Sequence, residues 1–312
     1  LSSTQAIEEN KAGIFTTALI IISILAASVE PIVVKLGFRT SATPLQLLIM
    51  KIALGGILVL PFTRTFEWIG LKGLRKMAWV CFLFMLTNIL VFFSLQHLSA
   101  VTVITVFTTT PAFVALVNQQ KGRDVLAPTF WPGFILCFLG VLITIEIFQP
   151  GSLTLNTTGL FYIFASVACS TAYRTAMDDI TASFNPLNTA NYIFLSNGLV
   201  ALIALPFAGP IPEKAIPAGL WLGLAGVAAN ISFLAALKVL GSTRISIFGI
   251  LQRPVIIVAS SIILSEPLDA IQAVGILMVI GGVYLARVEK REEKPVEQTL
   301  QQQQGEKSHE KN

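Results

Sequence analysis

The sequence predicts an all-α membrane protein of ten transmembrane helices, arranged as two inverted five-helix repeats. Three observations carry that prediction. Of 312 residues, 54% are hydrophobic and only 12% charged, with a mean hydropathy of +0.77, whereas soluble domains carry about 25% charged residues. The charges are clumped, leaving apolar runs of the roughly 20 residues that cross a ~30 Å hydrocarbon core. The two halves of the chain also echo each other at a shift of 142 residues, as from Thr43 to Asn185.

The spans follow from the punctuation between apolar runs. A polar N-terminal tail, residues 1–12, leads into the first span at 13–36, which carries Glu30 and Pro31 near its end. Thr43-Pro44-Leu45 precedes the second, 44–62, which holds Lys51 and the small pair Gly55-Gly56. A basic stretch with Lys72, Arg75 and Lys76 precedes the third, 77–97, with Asn88 near mid-depth. A very short link then makes a tight hairpin into the fourth, 99–118, since fusing the two would give a helix too long for one crossing. In it, Thr108-Thr109-Thr110 can satisfy the backbone groups freed at Pro111. The fifth span, 131–149, sets Gly133 and Gly140 seven residues apart.

The sixth, 157–178, carries Arg174 and Asp178, four apart and able to pair on one face near the cytoplasmic end. Asn185-Pro186-Leu187 leads into the seventh, 187–207. The eighth, 217–238, has Gly219, Gly223 and Asn230, and the ninth, 242–264, has Gln252, Arg253 and Pro254. The tenth, 270–286, repeats the glycine spacing with Gly275 and Gly282. Residues 287–312 are rich in Glu, Lys and Gln and are expected to form a disordered cytoplasmic tail.

Five echoes share the shift or slip from it by one: Thr43 with Asn185, Asn88 with Asn230, Gly133 with Gly275, Gly140 with Gly282, and Pro111 with Pro254. The first repeat is 13–149 and the second 150–286. An odd number of spans per repeat makes the second copy enter the bilayer upside down. Inverted repeats of this kind recur in secondary transporters, with the substrate near the midplane. Lys and Arg flank the spans on the side that holds both termini, while only Lys35, Arg39 and Lys214 fall on the other, so both termini are expected in the cytoplasm.

Several classes are disfavoured. The net charge of +4 lies in loops beside the spans, a membrane-topology signature and not a nucleic-acid footprint. Cys81, Cys137 and Cys169 lie in apolar runs without metal or disulfide spacing. No zinc-protease pattern, nucleophile elbow or phosphate-binding Gly-x-x-x-x-Gly-Lys is found in the sequence. No catalytic residue, metal or cofactor is therefore expected, and transport would be facilitative or gradient-driven.

Ionisable and amide groups within the spans are the candidate site. Arg253, near mid-depth beside the helix-breaking Pro254, is a candidate anion anchor. Glu30 and Lys51 each lie about 10 Å from the outer face by helical rise, so they can pair as a gate or coupling couple released by substrate or a proton; an inert interhelical ion pair is the alternative. Asn88 and Asn230 offer donor and acceptor together, suited to a zwitterion, or they simply tie helices. Gln252 joins them as a weaker candidate, Pro111 and Pro254 are candidate hinges, and His97 reads as a loop residue.

The segment ALKVLGSTRISIFGILQRPVIIVASSIILSEPLDAIQAVGILMVIGGVYLA, from Ala236 to Ala286, resembles the second repeat of the drug/metabolite transporter superfamily, in its EamA-type ten-helix branch. Ala236-Leu237, the mid-helix Pro254, Ser265-Glu266-Pro267 and the glycines Gly275 and Gly282 follow in that family's order. The first half carries a weaker copy, with Gly122-Arg123-Asp124 at the turn where the family has Gly-Glu, and Lys51 where it often has arginine. The resemblance spans residues 13–286. It implies a permease that moves metabolites, often amino acids or related compounds, across a cell (inner) membrane, with the lipid bilayer and a small molecule as partners. Proton coupling through Glu30 is open. An organophosphate or nucleotide-sugar antiporter of the same superfamily ranks second, because few cations lie inside the spans. A non-transporting receptor or scaffold stands behind both.

Overall fold

Helices dominate because the chain leaves few backbone groups that hydrocarbon would have to solvate. The structure, a computed structural model, describes residues 3–61, 67–122, 124–144, 156–181, 184–265, 269–286 and 288–290; the side chains of 3–17 and 236–255, with a few others, lie outside the description. The helices are α1 (Ser3–Phe38), α2 (Pro44–Val59), α3 (Gly70–His97), α4 (Ala100–Phe107), α5 (Thr110–Gln120), α6 (Phe130–Thr144), α7 (Thr157–Thr181), α8 (Pro186–Ala204), α9 (Ile216–Leu264) and α10 (Ala270–Leu285). Two short strands, β1 (Asp124–Leu126) and β2 (Val288–Lys290), pair antiparallel with Val125 opposite Glu289.

Burial is turned inside out relative to a water-soluble domain. Thr105, Thr110, Ser166, Thr175, Asn188 and Asn191 are buried, while Trp79, Phe82, Trp131, Phe161, Ile203 and Leu277 are more than half exposed. An apolar exterior of this extent is stable against lipid. Stretches within five helical runs are long and apolar enough to cross a membrane: Ile21–Phe38, Gly70–His97, Ala100–Gln120, Leu187–Ala208 and Glu213–Ala235. The chain is an all-α membrane protein.

The local rules of the sequence hold at the helix starts. Thr43 caps α2, its Oγ1 accepting from the Gln46 backbone N–H at 3.2 Å while Gln46 Oε1 accepts from the Thr43 N–H at 2.9 Å. Asn185 caps α8, accepting from the Leu187 N–H at 3.0 Å. A proline follows each cap, where its missing N–H is one that no helical bond would use.

The echoed glycines pack against one another. A Cβ on Gly133 would lie 2.6 Å from the Gly282 carbonyl oxygen, and one on Gly140 2.6 Å from that of Gly275, so α6 and α10 pack antiparallel, backbone to backbone. α2 and α8 meet likewise at Gly56, where a Cβ would lie 3.0 Å from Gly198 Cα.

Four expectations change. α1 begins at Ser3, not residue 13, because nothing in the polar tail breaks a helix. The fourth span is two helices with a turn at Thr108-Thr109, and Thr108, Thr109 and Thr110 each donate a hydroxyl to a carbonyl three or four residues back (Ile104, Val106 and Phe107, all at 2.7 Å). The tail expected to be without structure from residue 287 supplies β2, which pairs with β1.

The fourth change is α9, an unbroken helical run of 49 residues where two spans are expected. No proline stands between Lys238 and Ser242, and Gly241 alone does not end a helix. A straight rod is nonetheless excluded. Gly219 meets Met50 and Gly223 meets Leu54, so the start of α9 runs parallel to α2 and antiparallel to α1. Ser23 Oγ donates to the Ala229 carbonyl at 3.2 Å. A straight α9 would carry Leu264 about 52 Å from there, in the direction opposite to Arg39. Arg39 Nη2 instead donates to the Leu264 carbonyl at 2.7 Å. The path of α9 therefore doubles back between Ala229 and Leu264.

Candidate functional site

Lys51 is 3% exposed in the middle of α2, and an ammonium so deep in a membrane protein requires partners. Its Nζ donates to Glu30 Oε1 on α1 at 2.6 Å and to Asn88 Oδ1 on α3 at 2.7 Å. The amide of Asn88 is oriented from behind, its Nδ2 donating to the Phe84 carbonyl at 2.8 Å. The Phe92 ring, one turn further along α3, faces the ammonium with its centroid 5.4 Å away, a cation–π contact. The lysine stem passes Gly226 of α9, where an added Cβ would lie 3.2 Å from Cε. Three helices of the first half and one of the second thus converge on one charge.

The cluster is open on the Glu30 side. Glu30 keeps 24% of its side chain exposed beside the enclosed lysine. Its second carboxylate oxygen and the third ammonium hydrogen of Lys51 have no hydrogen-bond partner among the described residues.

The structure joins Glu30 with Lys51, which helical rise sets at one depth, and adds Asn88 to the pair, a contact that depth alone does not give. Asn230 stands one turn beyond Gly226 and donates to the Gly226 carbonyl at 3.3 Å, the counterpart of the Asn88 bond to Phe84. Pro111 lies in the first turn of α5, just after the threonine-bridged break. Gln252, Arg253 and Pro254 fall on the helical backbone of α9, with side chains outside the described residues. Arg174 has its guanidinium 5.9 Å from the Phe233 ring of α9, and so points toward α9; the side chain of Asp178, its expected partner, lies outside the described residues. His97 stacks on Tyr162 and lies 3.1 Å from the Asn156 amide, joining α3 to the start of α7. Phe92 and Gly226 escape a sequence reading because neither carries a polar signal. Among the described residues no cluster of His, Cys, Asp or Glu can hold a metal.

Residues 157–288 match the model of the EamA-like transporter family. That part of the chain is an EamA-type domain of the drug/metabolite transporter superfamily. It is 26% identical over 210 residues to the "Uncharacterized transporter YyaM" of Bacillus subtilis (strain 168), covering 64% of this chain and 68% of that protein. To the "Uncharacterized transporter YxxF" of the same organism it is 25% identical over 236 residues, covering 73% and 74%. A solved crystal structure superposes on it with a TM-score of 0.59 over 87% of this chain and 96% of that one; at 16% identity the likeness is one of fold. The chain is a multi-pass membrane transporter and not an enzyme.

Proposed function

We propose that this transporter carries a small zwitterionic metabolite, an amino acid or related compound, by alternating access around a midplane site. The observation that carries the reading is the Glu30–Lys51–Asn88 cluster: a buried ammonium and a half-open carboxylate side by side, with one donor and one acceptor unused among the described residues. The substrate carboxylate would meet Lys51 and its ammonium Glu30. Asn88, Asn230, Gln252 and Arg253 would line the same cavity, with Pro111 and Pro254 as hinges. Glu30 and Lys51 would also be the coupling pair, parted by the substrate or, in its absence, by a proton that displaces one partner.

The proposal includes the organisation that alternating access requires, two inverted repeats (13–149 and 150–286) with ten crossings, in a cell membrane with both termini cytoplasmic. The doubling-back of α9 supports two crossings there, as does its length of about 74 Å against a ~30 Å hydrocarbon core. The contacts Gly56–Gly198 and Gly133–Gly282 support the repeat, for each joins equivalent or exchange-related positions (56 + 142 = 198; 133 + 142 = 275 and 282 − 142 = 140, the second contact pair).

The test is uptake of radiolabelled amino acids into vesicles holding the purified protein, beside Lys51→Met and Arg253→Ala. Uptake abolished by Lys51→Met supports the reading. Uptake of phosphate esters alone, undiminished in Lys51→Met and lost in Arg253→Ala, replaces it with the antiporter reading.

A further inference from the structure

The contact between α2 and α8 has a form that the candidate site does not need. Gly56 and Gly198, repeat equivalents, touch at its centre. At one end the buried Gln46 donates from Nε2 to the carbonyls of Ala208, at 3.0 Å, and Pro210, at 3.1 Å, in the loop after α8. At the other end stands the buried Asn188, equivalent to Gln46 (46 + 142 = 188). It donates to the Glu67 carbonyl and accepts from the Glu67 N–H, both at 3.1 Å, in the loop after α2, and the Tyr192 hydroxyl donates to the same carbonyl at 3.1 Å. Asn188 and Ala208 are separated by about 30 Å of helical rise, one hydrocarbon thickness, so the two clasps sit at opposite faces.

We infer that Gln46 and Asn188 are matched positioning residues, which clamp α2 to α8 at both faces and make that pair the stationary axis of the transport cycle, with Lys51 fixed upon it. The inference rests on the alternating-access reading. In an inverted-repeat transporter, inward- and outward-facing states differ by the two repeats exchanging conformations. A gate is then closed on one face and open on the other. These clasps are equivalent and both closed in a single structure, so they do not distinguish the two states. A contact between equivalent residues, as at Gly56–Gly198, maps onto itself under the exchange and has no reason to change. Contacts away from it, such as Ser23 to Ala229 between α1 and α9, map onto different pairs and carry the motion.

The experiment bridges each contact in a chain whose Cys81, Cys137 and Cys169 are replaced by alanine. A short bis-methanethiosulfonate links Gln46→Cys to Ala208→Cys, Glu67→Cys to Asn188→Cys and, off the axis, Ser23→Cys to Ala229→Cys. Bridging either clasp, or both, should leave amino-acid uptake within about twofold of the cysteine-free protein, recovering what the unbridged variants lose; bridging α1 to α9 should cut it at least about tenfold, reversibly with reductant. Reversible arrest by a clasp bridge would overturn the axis and make the clasps gates. If the unmodified protein takes up no amino acid, the substrate reading fails and the axis is decided by hydrogen exchange of the full chain in nanodiscs. Residues 46–56 and 188–198 should then exchange more slowly than 23–38 of α1, and equal or faster exchange would overturn it.

Discussion

Asn88 and Asn230 lie 142 residues apart and bind the carbonyl four residues back in the same way, yet among the described residues only Asn88 meets a charge. The difference lies in their surroundings. Where the first half has Glu30 and Lys51, the equivalent positions of the second hold Ala172 and Ile193, the latter fully buried (30 + 142 = 172; 51 + 142 = 193). The caps, glycine contacts and amide clasps recur in both halves, whereas the charged cluster seen among the described residues stands in the first. Packing must match in both halves for them to fit together. A ligand needs its charged groups only once.

The largest effect that would test this contrast is Glu30→Gln, which leaves the enclosed Lys51 ammonium without a counter-ion. It should destabilise the protein by about 3–5 kcal/mol in a denaturation assay, with Lys51→Met added to it recovering most of the loss. Next comes the asparagine pair. Asn88→Leu removes an acceptor from a charged donor and should cost about 1.5–3 kcal/mol, against about 0.6 kcal/mol for Asn230→Leu; equal costs would erase the asymmetry. The frame should instead respond alike in both halves. Gly140→Ala and Gly282→Ala each drive a methyl group into backbone of the facing helix, so both should lower stability by about 1–3 kcal/mol. Among the described residues, their neighbour Gly281 has only Leu136 Cδ2 within reach, at 3.9 Å. Gly281→Ala should therefore be neutral or stabilising by up to about 1 kcal/mol, read as an unchanged or raised melting temperature.

How far the sequence reaches differs between frame and site. The caps at Thr43 and Asn185 and the threonine-bridged break before Pro111 follow from residues within one turn, so local chemistry suffices. The pairing of Glu30 with Lys51 was legible because helical rise sets both at one depth. The role of Gln46 and Asn188 was not, although both sit three residues after a cap at the shared shift. A glutamine and an asparagine near helix starts announce no partner until the opposite loops are brought to them. Phe92 and Gly226 were invisible for a similar reason, since an aromatic ring and a missing Cβ acquire meaning only from the lysine laid against them.

By itself the sequence determined the membrane environment and most of the helices, because hydropathy, capping and periodicity act between near neighbours along the chain. The tertiary structure alone decided which of two equivalent asparagines meets the charge, that α9 turns back on itself, and that equivalent glycines face each other. Those outcomes depend on contacts across as many as 225 residues of chain, as from Arg39 to Leu264, and only the packing of one half against the other brings such residues together.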